Sequence, residues 1–347
     1  MFELWFAIVC AMLAAYVVLD GYDFGAGIVH LFVARNNEER RQVLAAIGPY
    51  WDGNEVWLLA AGGALFVAFP RVLSAGISGF YFAIFLVLWC LILRGIAIEF
   101  RSHVADPLWR AAWDFLFSLA SLLLAVFFGT ALGNLVRGVP LNDAGWFSLP
   151  LFTTFSPTGA VGILDWYTVG AGLMAAIALG AHGAAFLVWR TDGTVQGRAR
   201  VAAKHLFRLA VALWLVLFLE THRLNDVLSV LGERPLGWVG VFLALGGIAA
   251  VQLGLGRGKD LLPFLGTSAF LAGTLVATAA CLFPVMLKSI DNPALSITAY
   301  SGGGDEAGLR LALRWLGVGL PLAVGYFVMN FRLHRGKAVA ARDGEGY

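Results

Sequence analysis

The sequence predicts an all-α integral membrane protein of about nine transmembrane helices, and three observations carry that expectation. Of its 347 residues 60% are hydrophobic and only 13% are charged, where an ordinary globular domain is about half apolar and a quarter charged. The apolar residues fall in runs of roughly 20 or more, the length needed to cross the hydrocarbon layer. A content of 26 Phe, 12 Trp and 8 Tyr supplies far more burial drive than a disordered chain contains. A net charge of +2 provides no basic face for nucleic acid. Cys10, Cys90 and Cys281 each lie within an apolar run, far apart, and read as packing residues rather than as a metal site or a disulfide framework.

With charges and Gly/Pro breaks as boundaries, nine spans follow along the chain: 4–33, 45–69, 73–98, 112–136, 160–189, 204–222, 236–256, 263–287 and 309–332. The first has only Glu3 before it and lacks the basic leader and cleavage site of a signal peptide, so it is expected to be a retained helix. The second lies between the Arg40-Arg41 pair and Pro70, the third between Arg71 and Glu99, and the fourth between Arg110 and Arg137. The fifth ends at Arg190, the sixth starts at Lys204, and the seventh runs from Pro235 to Arg257. The eighth stops before Lys288, and the ninth ends at Arg332. The whole chain, 1–347, reads as a single polytopic membrane domain. Four helices, a long loop, four more helices and one extra suit two four-helix bundles plus one peripheral helix.

Positively charged connections stay in the cytoplasm. Of the 24 Lys and Arg, 17 lie in or beside the connections after spans one, three, five, seven and nine, against 7 on the other side. The N-terminus is therefore expected outside. The tail with Arg332, Arg335, Lys337 and Arg342 is expected in the cytoplasm. Connections 137–159 and 288–308, rich in Gly, Pro, Asn, Ser and aromatic residues, become outer interfacial loops.

An ionisable residue at membrane depth is a functional hypothesis by default, because its insertion costs several kcal/mol. Asp20 and Asp23 lie about 24 to 28 Å down the first helix at 1.5 Å per residue, in its cytoplasmic half. Asp52 and Glu55 begin the second helix from the same side, Arg94 and Glu99 end the third there, and Asp114 starts the fourth. The acids Asp20/Asp23 and Asp52/Glu55 are three apart, which puts each pair on one helical face. Together they resemble a hydrated inlet opening toward the side that supplies protons. The plainer reading is a set of caps and salt bridges at helix ends. Of the histidines only His182 is deep, and a lone histidine of this kind reads as bonded to a neighbouring helix. His30, His103, His205, His222 and His334 read as interfacial. The glycine-rich strings around Gly21–Gly27 and Gly62-Gly63 lack a preceding strand and a Gly-Lys-Ser/Thr sequence, so they are not phosphate loops.

Several strings carry a family resemblance. Asp20-Gly21-Tyr22-Asp23-Phe24-Gly25 and Trp51-Asp52-Gly53-Asn54-Glu55-Val56-Trp57-Leu58, with Gly62-Gly63-Ala64-Leu65-Phe66, resemble subunit II of the cytochrome bd-type quinol oxidases. So do Leu93-Arg94-Gly95 with Glu99-Phe100-Arg101, Gly133-Asn134-Leu135 with Gly138-Val139-Pro140, and Phe283-Pro284 with Ser289. The match covers nearly the whole chain and is strongest before residue 141.

The resemblance implies a heterodimer in a bacterial or archaeal cell membrane. Its partner, subunit I, holds two b-type haems and one d-type haem, oxidises quinol near the outer face and reduces O2 to water. It implies no haem ligand in this chain and a cytoplasmic proton path around Trp51, Asp52, Arg94 and Glu99, to which charge placement adds Asp20, Asp23 and Glu55. Some members hold a structural quinone in this subunit, and a small single-helix subunit is a further candidate partner, with membrane lipid around them all. The competing reading is a proton-coupled secondary transporter, whose carboxylates and broken helices look similar in outline. Against it, the acids here lie toward one face and the second half lacks matching ones.

Overall fold

A computed structural model describes residues 1–157 and 159–340, so Arg342 lies outside the described residues. The chain is almost entirely helical. The first half comprises α1 (Phe2–Val33), the short α2 (Asn37–Ile47), α3 (Trp51–Ala68), α4 (Pro70–Gly79), α5 (Tyr81–Phe100) and α6 (Pro107–Arg137). The second half comprises α7 (Trp166–Arg190), α8 (Gly193–Asn225), α9 (Val227–Glu233), α10 (Pro235–Gly256), α11 (Leu261–Leu282) and α12 (Glu306–Leu333). Among the described residues eight helices are long and apolar enough to span a membrane, and the bent pair α3–α4 brings the number to nine.

The boundaries differ from the hydropathy spans where local chemistry breaks the helix. The second predicted span began at 45, but 45–47 belong to α2, a polar-faced helix capped by the Asn36 side chain, which accepts from the Glu39 N–H. Gly48-Pro49 then separates it from α3, since proline cannot donate to a helix ladder. The third predicted span, 73–98, divides in two. Pro70 takes the first position of α4, where its missing N–H costs nothing, and the chain turns by 119° between α3 and α4. The membrane-length helix is α5. The fifth span starts at Trp166 rather than 160, because Asp165 forms a capping box with Thr168. The eighth ends at Leu282, and residues 285–287 instead form β1 (Val285–Leu287), paired antiparallel with β2 (Ile297–Thr298).

α1, α3, α5 and α6 pack as one bundle and α7, α8, α10 and α11 as a second, joined along α1, α6, α7 and α11. α7 is the most enclosed helix, with 72% of its apolar stretch buried. α12 touches α3, and none of its apolar stretch is buried. The two bundles meet backbone to backbone where α1 crosses α7. A Cβ at Gly25 would collide with the Leu179 carbonyl and Gly183, and one at Gly183 would collide with Gly25 and Ala26. Small residues allow this approach in lipid, where packing rather than the hydrophobic effect drives association. At one end, α4 and the two long loops close into a cap around Ala75, Val139, Leu141, Phe147, Leu287 and Ile297.

Candidate functional site

The first bundle converges on a buried polar cluster. α1 contributes Asp20 and Asp23, α3 contributes Asn54 and Glu55, and α5 contributes Arg94. Asp20, Asp23, Asn54 and Arg94 are all fully buried. The guanidinium of Arg94 donates to both oxygens of Asp20, at 2.7 and 3.3 Å, and also to Glu55. Its far face lies 4.5 Å above the Phe24 ring, a cation–π contact that favours the charge once desolvated. Asn54 Nδ2 donates to Asp23 Oδ2 and to the Tyr22 hydroxyl, both at 2.7 Å.

Helix phase explains who joins this cluster. Asp20 and Asp23 are one turn apart on the α1 face turned toward α3 and α5. Glu55 reaches the same centre, whereas Asp52, at the start of α3 and about 60° around the helix, is exposed on the outward side. It shares that side with Val56, Leu59 and Phe66, which are also exposed. Trp51 packs its ring over Gly95 of α5. Glu99, one turn beyond Gly95, is half-buried at the end of α5. The seven predicted residues therefore divide into a central group of four, in which Asp20, Asp23 and Arg94 are buried and the Glu55 side chain is 27% exposed, and a flank of three (Trp51, Asp52, Glu99).

One cation faces three carboxyl groups here. Ionising all three would leave two negative charges uncompensated, which is costly where Asp20 and Asp23 are shielded from water. The cluster also contains unused polar atoms. Asp23 Oδ1, Asn54 Oδ1, Arg94 Nε, Trp51 Nε1 and Trp57 Nε1 are buried without a partner among the described residues. Such atoms are normally satisfied by internal water.

A second ionic cluster corrects two readings. Asp114 does not join the inlet, and His30 is not interfacial: both are buried. His30 Nε2 lies 2.7 Å from Asp114 Oδ1, while Arg101 and Arg40 donate to the same carboxylate at 2.6 to 3.1 Å. This cluster ties the end of α1 to α2, α5 and α6. His182 accordingly bonds to its neighbours, with Nδ1 2.7 Å from Thr267 Oγ1 and Nε2 2.8 Å from the Val18 carbonyl. Sequence reasoning missed Asn54 as a site residue, although a carboxamide inside an apolar helix is itself a signal. Among the described residues no group of His, Cys, Asp and Glu could hold a metal ion.

Comparison with known proteins decides the family. The pattern of the family described as "Cytochrome bd terminal oxidase subunit II" matches residues 1–334. The chain belongs to that family. This subunit II is 29% identical to a probable cytochrome oxidase subunit 2 of Haemophilus influenzae, over 94% of this chain and 92% of the relative. It is 29% identical to the cytochrome bd ubiquinol oxidase subunit 2 of Bacillus subtilis, over 96% and 95% of the two chains. It is 37% identical to the cytochrome bd-I ubiquinol oxidase subunit 2 of Escherichia coli K12, but only over 58% of this chain and 52% of that one. The fold matches a chain in the structure of the bd oxidase from Geobacillus thermodenitrificans with a TM-score of 0.72, at 16% identity, over 96% of this chain and 98% of that one. Subunit II is thus part of a respiratory oxidoreductase complex of the membrane, and the transporter reading is set aside.

Proposed function

We propose that this subunit, acting as one polytopic domain, completes a quinol oxidase in which a haem-bearing subunit I oxidises quinol and reduces O2 to water, and that it supplies protons from the cytoplasm. The observation that carries the proton role is the Asp20–Asp23–Glu55–Arg94 cluster, buried except at the partly exposed Glu55, with one cation for three acids among the described residues and several unused polar atoms around it. Such a site holds water and takes up or releases a proton with small displacements of charge, whereas a purely structural ion pair would be balanced and fully bonded. Arg94 keeps Asp20 and Glu55 in place. Asn54 orients Asp23.

Asp52 stands at the exit of this path. A carboxylate on the same outward face as Val56, Leu59 and Phe66 of a membrane helix is expensive against lipid. A partner subunit covering α3 would give it a polar setting and receive protons from it, with Trp51 and Glu99 flanking the route. The three haems are assigned to subunit I. Both nitrogens of His182 are already bonded, so the one deep histidine named by the sequence does not fit an axial ligand. The N-terminus outside and the tail inside follow from the basic-residue asymmetry. That orientation puts proton uptake and quinol oxidation on opposite faces, so charge separates across the membrane without a pump.

The test is Asp52→Asn, which keeps size and hydrogen bonding but removes the titrating group. Oxygen consumption per haem is expected to fall roughly ten- to a hundredfold, an ordinary acid/base contribution, with haem content and assembly unchanged. Full turnover in an assembled Asp52→Asn complex would remove Asp52 from the path.

A further inference from the structure

At the end of the molecule where α1 finishes and α6 begins, the side proposed above to be cytoplasmic, a cavity of about 240 Å³ opens between the α1–α2 turn and the first turn of α6. Its wall is basic: Arg35, Arg40, Arg101 and Arg110 all line it, together with Asn36 and Asn37 at the start of α2. Among the described residues three nearby carboxylates are already engaged, and the exposed Glu38 stands outside the lining. Asp114 is bound by His30, Arg40 and Arg101, Asp106 caps the Trp109 N–H, and Glu39 is bound by Arg198.

Arg101 carries the argument further. It is 1% exposed; Nε and Nη2 donate to Asp114, and Nη2 also donates to Asn37 Oδ1 at 3.0 Å. Its Nη1 is buried with no partner among the described residues. A buried guanidinium nitrogen left unbonded is costly unless an acceptor completes it, and the free N–H groups of the first α2 turn point to the same kind of acceptor. From the mouth of the cavity, α6 presents the exposed residues Leu108, Phe115, Leu119 and Leu122, an apolar stripe along the helix.

We infer that this cavity binds the phosphate group of an anionic phospholipid, with Arg35, Arg101 and Arg110 around the headgroup and the α6 stripe against an acyl chain. Guanidinium groups suit phosphate because their planar donors match its oxygens. The stripe favours a lipid over free phosphate, which has no use for it. The site does not depend on the proton path, so failure of either leaves the other standing.

The experiment uses the intact complex, stripped of lipid and then supplied with phosphatidylglycerol or phosphatidylcholine of the same acyl chains, with bound lipid counted by native mass spectrometry. Phosphatidylglycerol is expected to bind at least fivefold tighter than phosphatidylcholine. Arg35→Gln, a surface change, should weaken it about fivefold, and Arg35→Gln with Arg110→Gln by more than tenfold, with haem content and turnover unchanged. Binding that ignores lipid charge, or that survives the double substitution, overturns the inference. Displacement of the lipid headgroup by millimolar inorganic phosphate, with Leu108→Ser having no effect on lipid binding, would show a free-phosphate site and overturn the lipid assignment.

Discussion

Replacing Arg94 by Gln removes the one cation found among the described residues at a site with three carboxyl groups. Arg94 donates two hydrogen bonds to Asp20 and one to Glu55 and covers Phe24. Hydrogen bonds to charged groups contribute about 1.5–3 kcal/mol each, but Gln retains one donor. The net loss is therefore set by the unpaired buried charge, about 3–5 kcal/mol. The double substitution Arg94→Gln with Asp20→Asn leaves two amides that bond to each other and removes one of the charges. It should be more stable than Arg94→Gln alone, a coupling of about 2 kcal/mol or more between residues in contact. The thermal midpoint of the complex measures stability, and oxygen uptake per haem measures function. Stability should recover in the double variant while turnover stays low, because neutral amides do not carry protons. An Arg94→Gln complex with normal midpoint and turnover would refute the reasoning, as would a double variant whose loss equals the sum of the single ones.

Three further outcomes are expected. His182→Ala should leave the number of haems per complex unchanged and cost about 1–3 kcal/mol through the lost bonds to Thr267 and Val18; an assembled complex missing one haem would reverse that assignment. Reporter fusions should place residue 340 in the cytoplasm and residue 145 outside, and a cytoplasmic signal at 145 would overturn the proposed orientation. Burial alone would raise the Glu39 carboxyl, but bonds from Arg198, the Arg35 N–H and Thr194 hold it down at about 2. A lowered folded value stabilises above the ordinary carboxylate range and is lost as pH falls from 4.5 toward 2. Proteolysis of α2 should thus rise steeply in that window, and in Glu39→Gln it should be high already at neutral pH and flat.

Composition and run length made the helical membrane fold legible, because a span must satisfy its own backbone and therefore shows as an apolar run. Breaks were less legible. Hydropathy averaged across Gly48-Pro49 and merged the end of α2 with α3, and it counted Phe69-Pro70 as a boundary between spans without showing that α4 turns aside. The acids of α1 were readable as a pair because both face inward. Asp52 and Glu55 share the same spacing, yet the 60° between positions three apart is enough to send one to Arg94 and the other outward. His30 stood near a span end, and its burial comes from α2 and α6 folding over that end, contacts remote in sequence. The partner proposed to cover Asp52 is a second chain, which no reading of this one contains.

The crossing at Gly25 and Gly183 bears on how this subunit can move. Alternating access requires a seam along which one half rocks against the other. Here the halves touch through main chain at a point only two residues from Asp23 and one from His182, so any rotation there would drive carbonyl and amide into each other. The crossing behaves as a weld. Under the proposed proton role, protons at the acid cluster would be handed on by side chains and water within a rigid frame, at a rate set by local rearrangement of a few groups rather than by rocking of the two bundles.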